Sequence, residues 1–145
     1  MFHVKHLQKY LSAVKLFHDQ HMTHKSYIGK IGEDLACEYL KNKNYIVLER
    51  NHKEKWGEID IITKSPDKIL VFVEVKTIRQ YGNAATNILP EENLTKSKLE
   101  KVKRTAQMFA DQHSELINNK KGWRIDLIAI TLIDKENQIN HYENI

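Results

Sequence analysis

Two apolar runs rich in Ile and Val, Gly57-Glu58-Ile59-Asp60-Ile61-Ile62 and Val71-Phe72-Val73-Glu74-Val75-Lys76, are joined by the turn-forming segment Ser65-Pro66-Asp67-Lys68. That pattern predicts an antiparallel hairpin with residues 65–69 as its loop. Beyond Glu58 at the start of the first run, three charges interrupt it: Asp60 in the first run, Glu74 and Lys76 in the second. Burying a charge is costly unless it is paired or bound to a metal, so these positions demand a reason. Side chains alternate across a strand, which sets Glu74 and Lys76 on one face, with Phe72, about 7 Å apart. The register that leaves 65–69 as the loop brings Asp60 opposite Glu74, with Cβ atoms about 5 Å apart.

Two carboxylates that close repel each other, and a divalent cation removes the repulsion while polarising a phosphoryl oxygen and acidifying bound water. Mg²⁺ suits a site with so few protein ligands, because it keeps several waters and accepts phosphate oxygens. An ammonium beside it, Lys76, would orient the attacking water or stabilise charge developing on phosphorus. The plainer alternative is a Glu74–Lys76 ion pair on a half-exposed edge strand, with Asp60 capping a turn.

The Asp, the hairpin turn and the Glu-x-Lys that follows resemble the PD-(D/E)xK nuclease core, the restriction-endonuclease-like fold shared by archaeal Holliday-junction resolvases. More narrowly, four segments in order resemble the bacterial YraN family of predicted nucleases: Gly29-Lys30-Ile31-Gly32-Glu33-Asp34-Leu35-Ala36, Gly57 to Ile62, Val71 to Thr77, and Arg124-Ile125-Asp126-Leu127-Ile128. The resemblance spans residues 27–145. It implies a restriction-endonuclease-like core with Asp60 and Glu74 as metal ligands, Lys76 as the catalytic cation and Glu33 as a further acid that resolvase-like members add. It also implies Mg²⁺ or Mn²⁺ as cofactor and hydrolysis of DNA phosphodiesters at branched or recombination intermediates; the sequence leaves open whether the chain pairs into a homodimer, as two-fold junction cutters commonly do. The chain departs from the pattern where Ile78 separates Thr77 from Arg79 and where Ile59 replaces the proline before Asp60. A second reading keeps the fold without turnover: a nucleic-acid-binding module working with a recombination or ATPase partner. A third is a protein-interaction scaffold.

At 145 residues, 41% apolar and 29% charged, the chain is expected to be one soluble globular domain. No run approaches the roughly 20 apolar residues that span a bilayer, and the N-terminus has no signal-peptide pattern, so the cytoplasm is the expected location. A lone cysteine, Cys37, excludes an internal disulfide and reads as a small packing residue. Of the net charge of +4, residues 1–25 hold +3, through Lys5, Lys9, Lys15 and Lys25 against Asp19. This stretch, with five of the eight histidines and a helical spacing at Val4, Leu7, Leu11, Val14 and Leu16, reads as a basic extension ahead of a domain over 26–145. Met22 offers an alternative start. A second basic cluster, Lys96, Lys98, Lys101, Lys103 and Arg104 against Glu100, is a candidate phosphate-contacting helix side, as is Arg79; a solvated helix face is the competing reading.

Ser26 is the expected cap of a first helix to about Lys43, with Ile28, Ile31, Leu35, Tyr39 and Leu40 in its apolar stripe. Gly29, Gly32 and Ala36 would let it approach a sheet closely and deliver Glu33, beside the stripe, to the hairpin; Asp34 is expected in solvent. A strand over Tyr45–His52 follows, with Tyr45 and Val47 opposite Ile46 and Leu48. Residues 80–93 read as a long irregular stretch beside the site. Thr95 is expected to cap a helix to about His113, striped by Leu99, Val102, Ala106 and Phe109, with His113 packed rather than liganded. Trp123–Leu132 reads as a buried strand with Asp126 paired to Arg124, and residues 138–143 as an edge strand. The sum is an α/β fold, a central mixed five-stranded sheet flanked by helices.

Overall fold

The computed structural model describes residues 23–81, 89–134 and 136–145. The helical reading of the basic extension, and residues 82–88 of the irregular stretch after Arg79, lie outside them. The elements run α1 (His24–Asn42), β1 (Ile46–Glu54), β2 (Gly57–Lys64), β3 (Leu70–Arg79), a 3-10 turn at Pro90–Asn93, α2 (Lys96–Gln112), a second 3-10 turn at Ser114–Leu116, β4 (Trp123–Leu132) and β5 (Gln138–Tyr142). One mixed sheet in the order β1-β2-β3-β4-β5 forms the centre. The first three strands are antiparallel neighbours, β4 runs parallel to β3 after the α2 crossover, and β5 returns antiparallel.

The two helices cover opposite faces. Ile28, Ile31, Ala36, Cys37 and Leu40 of α1 pack on Ile61, Val71, Val73, Ile128 and Ile130. Val102, Ala106, Phe109 and Ala110 of α2 pack on Ile59, Ile62, Leu70, Phe72 and Ile125. β3 therefore sends alternate residues to different helices, which is why it reads as a continuous apolar run rather than an alternating one.

The hairpin between β2 and β3 has the expected register, with Lys64 paired to Leu70 and Ile61 to Val73. Its loop is fixed by Ser65, whose carbonyl accepts the Lys68 N–H at 2.8 Å and whose hydroxyl accepts the Ile69 N–H at 3.1 Å. α1 begins earlier than expected. Thr23, not Ser26, is the cap, and its hydroxyl accepts the Ser26 N–H at 3.2 Å. Either hydroxyl suits a helix start, and local sequence does not rank them. The helix ends where Asn44 takes a left-handed conformation (φ 63°) that asparagine tolerates.

Small residues set the approach of α1 to β3. A Cβ on Gly32 would collide with the Thr77 side chain, whereas one on Gly29 would meet nothing, so Gly32 alone carries the close contact. In β1, Tyr45 is buried and Val47 packs against the α1 core, while Ile46 (63% exposed) and Leu48 face solvent. Alternation alone left the inward face open; a bulge between Val47 and Glu49 shifts the register, and pairing with β2 continues to Glu54, past the expected end.

Candidate metal and phosphate site

The site lies where β2 and β3 part. Their ladder ends at Ile61–Val73, one pair short of Asp60 and Glu74. Continued pairing would set Ile59 against Val75; instead the Val75 N–H donates to Asp60 Oδ2 at 2.8 Å. Ile59 and Ile62 both pack on the α2 side while Ile61 packs on the α1 side, so strict alternation fails through Asp60. The divergence opens a cleft of about 700 Å³, lined among others by Glu33 of α1, Glu58 and Asp60 of β2, Glu74 and Lys76 of β3, and Lys98 of α2. The two acids and the lysine read from the hairpin thus share one cavity, and Glu33 reaches it from the first helix.

Glu74 is 2% exposed. Its Oε1 lies 3.2 Å from Lys76 Nζ and 3.9 Å from Lys98 Nζ, while its Oε2 is buried with no hydrogen-bond partner. Burial first, then the neighbouring Asp60 charge, push its pKa up to about 7 against the pull of the two lysines. Burial likewise raises Asp60, against the Val75 amide and Lys98, and it raises Glu33, with Asp60 adding to the effect. Three carboxylates around one cavity are thus held above their ordinary range, mainly by burial, despite the lysines beside them. The orphaned Oε2 and an Asp60 Oδ1 without a hydrogen bond among the described residues form an all-oxygen donor set that fits a hard divalent cation.

The remaining sequence candidates separate. Lys96, Lys101, Lys103 and Arg104 are exposed on α2; at about 100° per residue Lys96, Lys103 and Arg104 turn well away from Lys98, while Lys101 lies about 60° from it. Lys98 lies on the sheet-facing row of Val102, Thr105 and Phe109, and it also reaches Glu58 at 3.5 Å. Its position was legible as a lysine four residues before a buried valine; its partners were not. Arg79 borders the cleft, 3.6 Å from Asp134 and 5.1 Å from the centroid of the Tyr81 ring. Asp34 is not left to solvent, since Arg50 of β1 reaches it at 2.6 Å and lies 4.0 Å from Glu33. His113 packs as expected, stacked on Phe109 with centroids 4.1 Å apart.

Asp126 pairs with Arg124, as the two-residue spacing predicts, and does more. Arg124 approaches it through Nε at 2.9 Å and through a terminal nitrogen at 3.2 Å, His141 Nε2 lies 2.8 Å away, and the Asn144 N–H donates at 3.0 Å. Burial opposes ionisation there, but these hydrogen bonds outweigh it and hold the carboxyl below its ordinary value. Asp126, His141 and Glu143 bring ligand atoms within 4.8 Å of one another. Both Asp126 oxygens are nonetheless occupied, and the Arg124 guanidinium beside them repels a cation, so this is a structural network joining β4, β5 and the C-terminus.

No helix among the described residues is long and apolar enough to cross a membrane. Residues 32–130 match the family described as "Uncharacterised protein family UPF0102". The chain is 43% identical over 122 residues to a UPF0102 protein of Alkaliphilus oremlandii, covering 81% of this chain and 95% of that one. It is 40% identical over 120 residues to one of a Sulfurihydrogenibium species, covering 80% and 90%. It is also 43% identical over 105 residues to one of Clostridium botulinum, covering 72% and 80%. The matched span holds all four cleft acids, Lys76 and Lys98, and with this length of agreement the chain belongs to the UPF0102 family.

Proposed function

We propose that the protein is a divalent-metal-dependent nuclease that hydrolyses phosphodiester bonds of DNA. The observation that carries this reading is Glu74: a carboxylate 2% exposed, one oxygen unpartnered, Asp60 raising its pKa and Lys76 at 3.2 Å. A stability role does not account for it, because an acid whose pKa stays raised despite two nearby lysines destabilises the fold when ionised.

Asp60 and Glu74 would hold the cation, with Glu33 reaching it directly or through water. When bound, Mg²⁺ or Mn²⁺ supplies Lewis-acid polarisation of a phosphoryl oxygen and lowers the pKa of a bound water. Lys76 stands beside Glu74 and stabilises negative charge as phosphorus becomes five-coordinate. In the balanced reaction, a water oxygen forms the new bond to phosphorus and the bond to one sugar oxygen breaks. One water proton goes to solvent, and the departing sugar oxygen takes a proton from solvent. The exposed Lys96, Lys101, Lys103 and Arg104 of α2 would add salt-dependent phosphate contacts along an approaching strand. The sequence resemblance to resolvase-like nucleases favours branched DNA among substrates.

The test is cleavage of supercoiled plasmid and of a four-way junction with Mg²⁺ or Mn²⁺, wild type against Asp60→Ala. The variant should lose ~100-fold or more. Equal cleavage by both proteins refutes the assignment; DNA binding that persists without metal or cleavage would instead identify a non-catalytic binding module.

A further inference from the structure

α2 starts at Lys96 behind the Thr95 cap, whose hydroxyl accepts the Lys98 N–H at 3.2 Å, so Lys98 is fixed in the first helical turn. Its side chain follows the row that packs on the sheet and ends between two carboxylates, 3.5 Å from Glu58 and 3.9 Å from Glu74. Lys76 approaches the same Glu74 oxygen at 3.2 Å from its own strand. Two ammoniums from different elements therefore converge on one carboxylate oxygen and leave the other, Oε2, bare. The pairing with Glu58 adds little to the fold, because Glu58 is half exposed and such a pair contributes about 0–1 kcal/mol.

We propose that Lys98 is a second cationic residue of the site, which contacts a non-bridging oxygen of the phosphodiester held there, with Glu58 retaining its ammonium until nucleic acid arrives. The inference rests on the nuclease reading and deepens it, separating Lys98 from the exposed lysines on the same helix. Asp60 and Glu74 would hold the cation, and its charge would take the place of the two ammoniums beside them. Lys76 stays tethered within its strand, whereas Lys98, on a long side chain at the cleft wall, turns to the phosphate. The contact then belongs to the metal-loaded state, and that dependence marks it off from a general electrostatic contact.

The experiment measures affinity for a labelled four-way junction and a 20-base-pair duplex, with and without Ca²⁺ in place of Mg²⁺ so that the probe stays intact. Wild type, Lys98→Gln, Lys98→Arg and Lys101→Gln are compared. Lys98→Gln should lose about ten-fold of the Ca²⁺-dependent gain in affinity, and Lys98→Arg should keep most of it. Lys101→Gln should weaken binding equally with and without Ca²⁺ and reduce the salt slope by about one. The proposal is overturned if Lys98→Gln loses no more of the gain than Lys101→Gln, or if wild type shows no such gain. A parallel cleavage arm with Mg²⁺ keeps the two readings apart: no cleavage by wild type, with the Lys98-dependent gain intact, overturns the nuclease and leaves the contact standing.

Discussion

Glu74→Gln should make the protein more stable at neutral and alkaline pH. The folded-state pKa of Glu74 is raised from 4.5 to about 7, so protonated Glu74 is the form the fold favours. The stability this provides is fully present below the unfolded-state value and is lost as pH rises through about 7. Between pH 4.5 and pH 8 the linkage costs the wild-type fold roughly 3 kcal/mol, at 1.36 kcal/mol per pKa unit. The attraction of Lys76 and Lys98 is already contained in that shift. Glutamine keeps the shape and does not titrate, so the gap between variant and wild type should widen by roughly 3 kcal/mol over this range. For a chain of this size that is a difference in Tm on the order of 10 °C. Urea unfolding at pH 4.5, 6 and 8 in chelator-treated buffer reads it directly. A gap independent of pH, or a variant less stable at pH 8, would refute the claim that Glu74 is an uncompensated buried acid.

Other expectations follow from the same contacts. Asp126→Asn should destabilise by about 3–5 kcal/mol, because it leaves Arg124 partly buried without its carboxylate. Since the Asp126 pKa is lowered in the fold, its contribution is present above the unfolded value and lost on acidification, so urea midpoints of wild type and variant should converge toward pH 3. Gly32→Ala should cost about 1–3 kcal/mol by driving a methyl into Thr77, and should weaken Mn²⁺ binding by shifting Glu33; denaturation and calorimetry check the two effects. Thr95→Ala should cost ~1 kcal/mol in urea unfolding through loss of the α2 cap.

The parts legible in the sequence were those set by local chemistry. The Ser65–Lys68 turn fixed the hairpin register, the nearly continuous apolar run around Asp126 fixed β4 as a buried strand, and Thr95 fixed the start of α2. That register brings Asp60 near Glu74 and Lys76, but the ladder stops one pair short of Asp60 and Glu74, and the cleft they share comes from the parting of the strands. Contacts between elements far apart in the chain were not legible. Arg50 meets Asp34 across 16 residues, and His141 meets Asp126 only because β5 returns beside β4. Lys98 looked like one of five similar charges because charge counting ignores helix phase; its place on the Val102 row was the signal that distinguished it. Nor did alternation foretell that β2 and β3 part at Asp60, which depends on a side chain replacing a backbone partner.

The central claim, that carboxylates from neighbouring strands form a divalent-cation site, is tested most directly by calorimetric titration with Mn²⁺ in buffers of different ionisation enthalpy. With Glu74 near pKa 7, roughly three-quarters of it is protonated at pH 6.5. Binding should therefore release close to one proton there, and almost none at pH 8. Both signals should vanish in Glu74→Gln. Mn²⁺ binding that releases no proton at pH 6.5, or that survives unchanged in Glu74→Gln, would contradict the account.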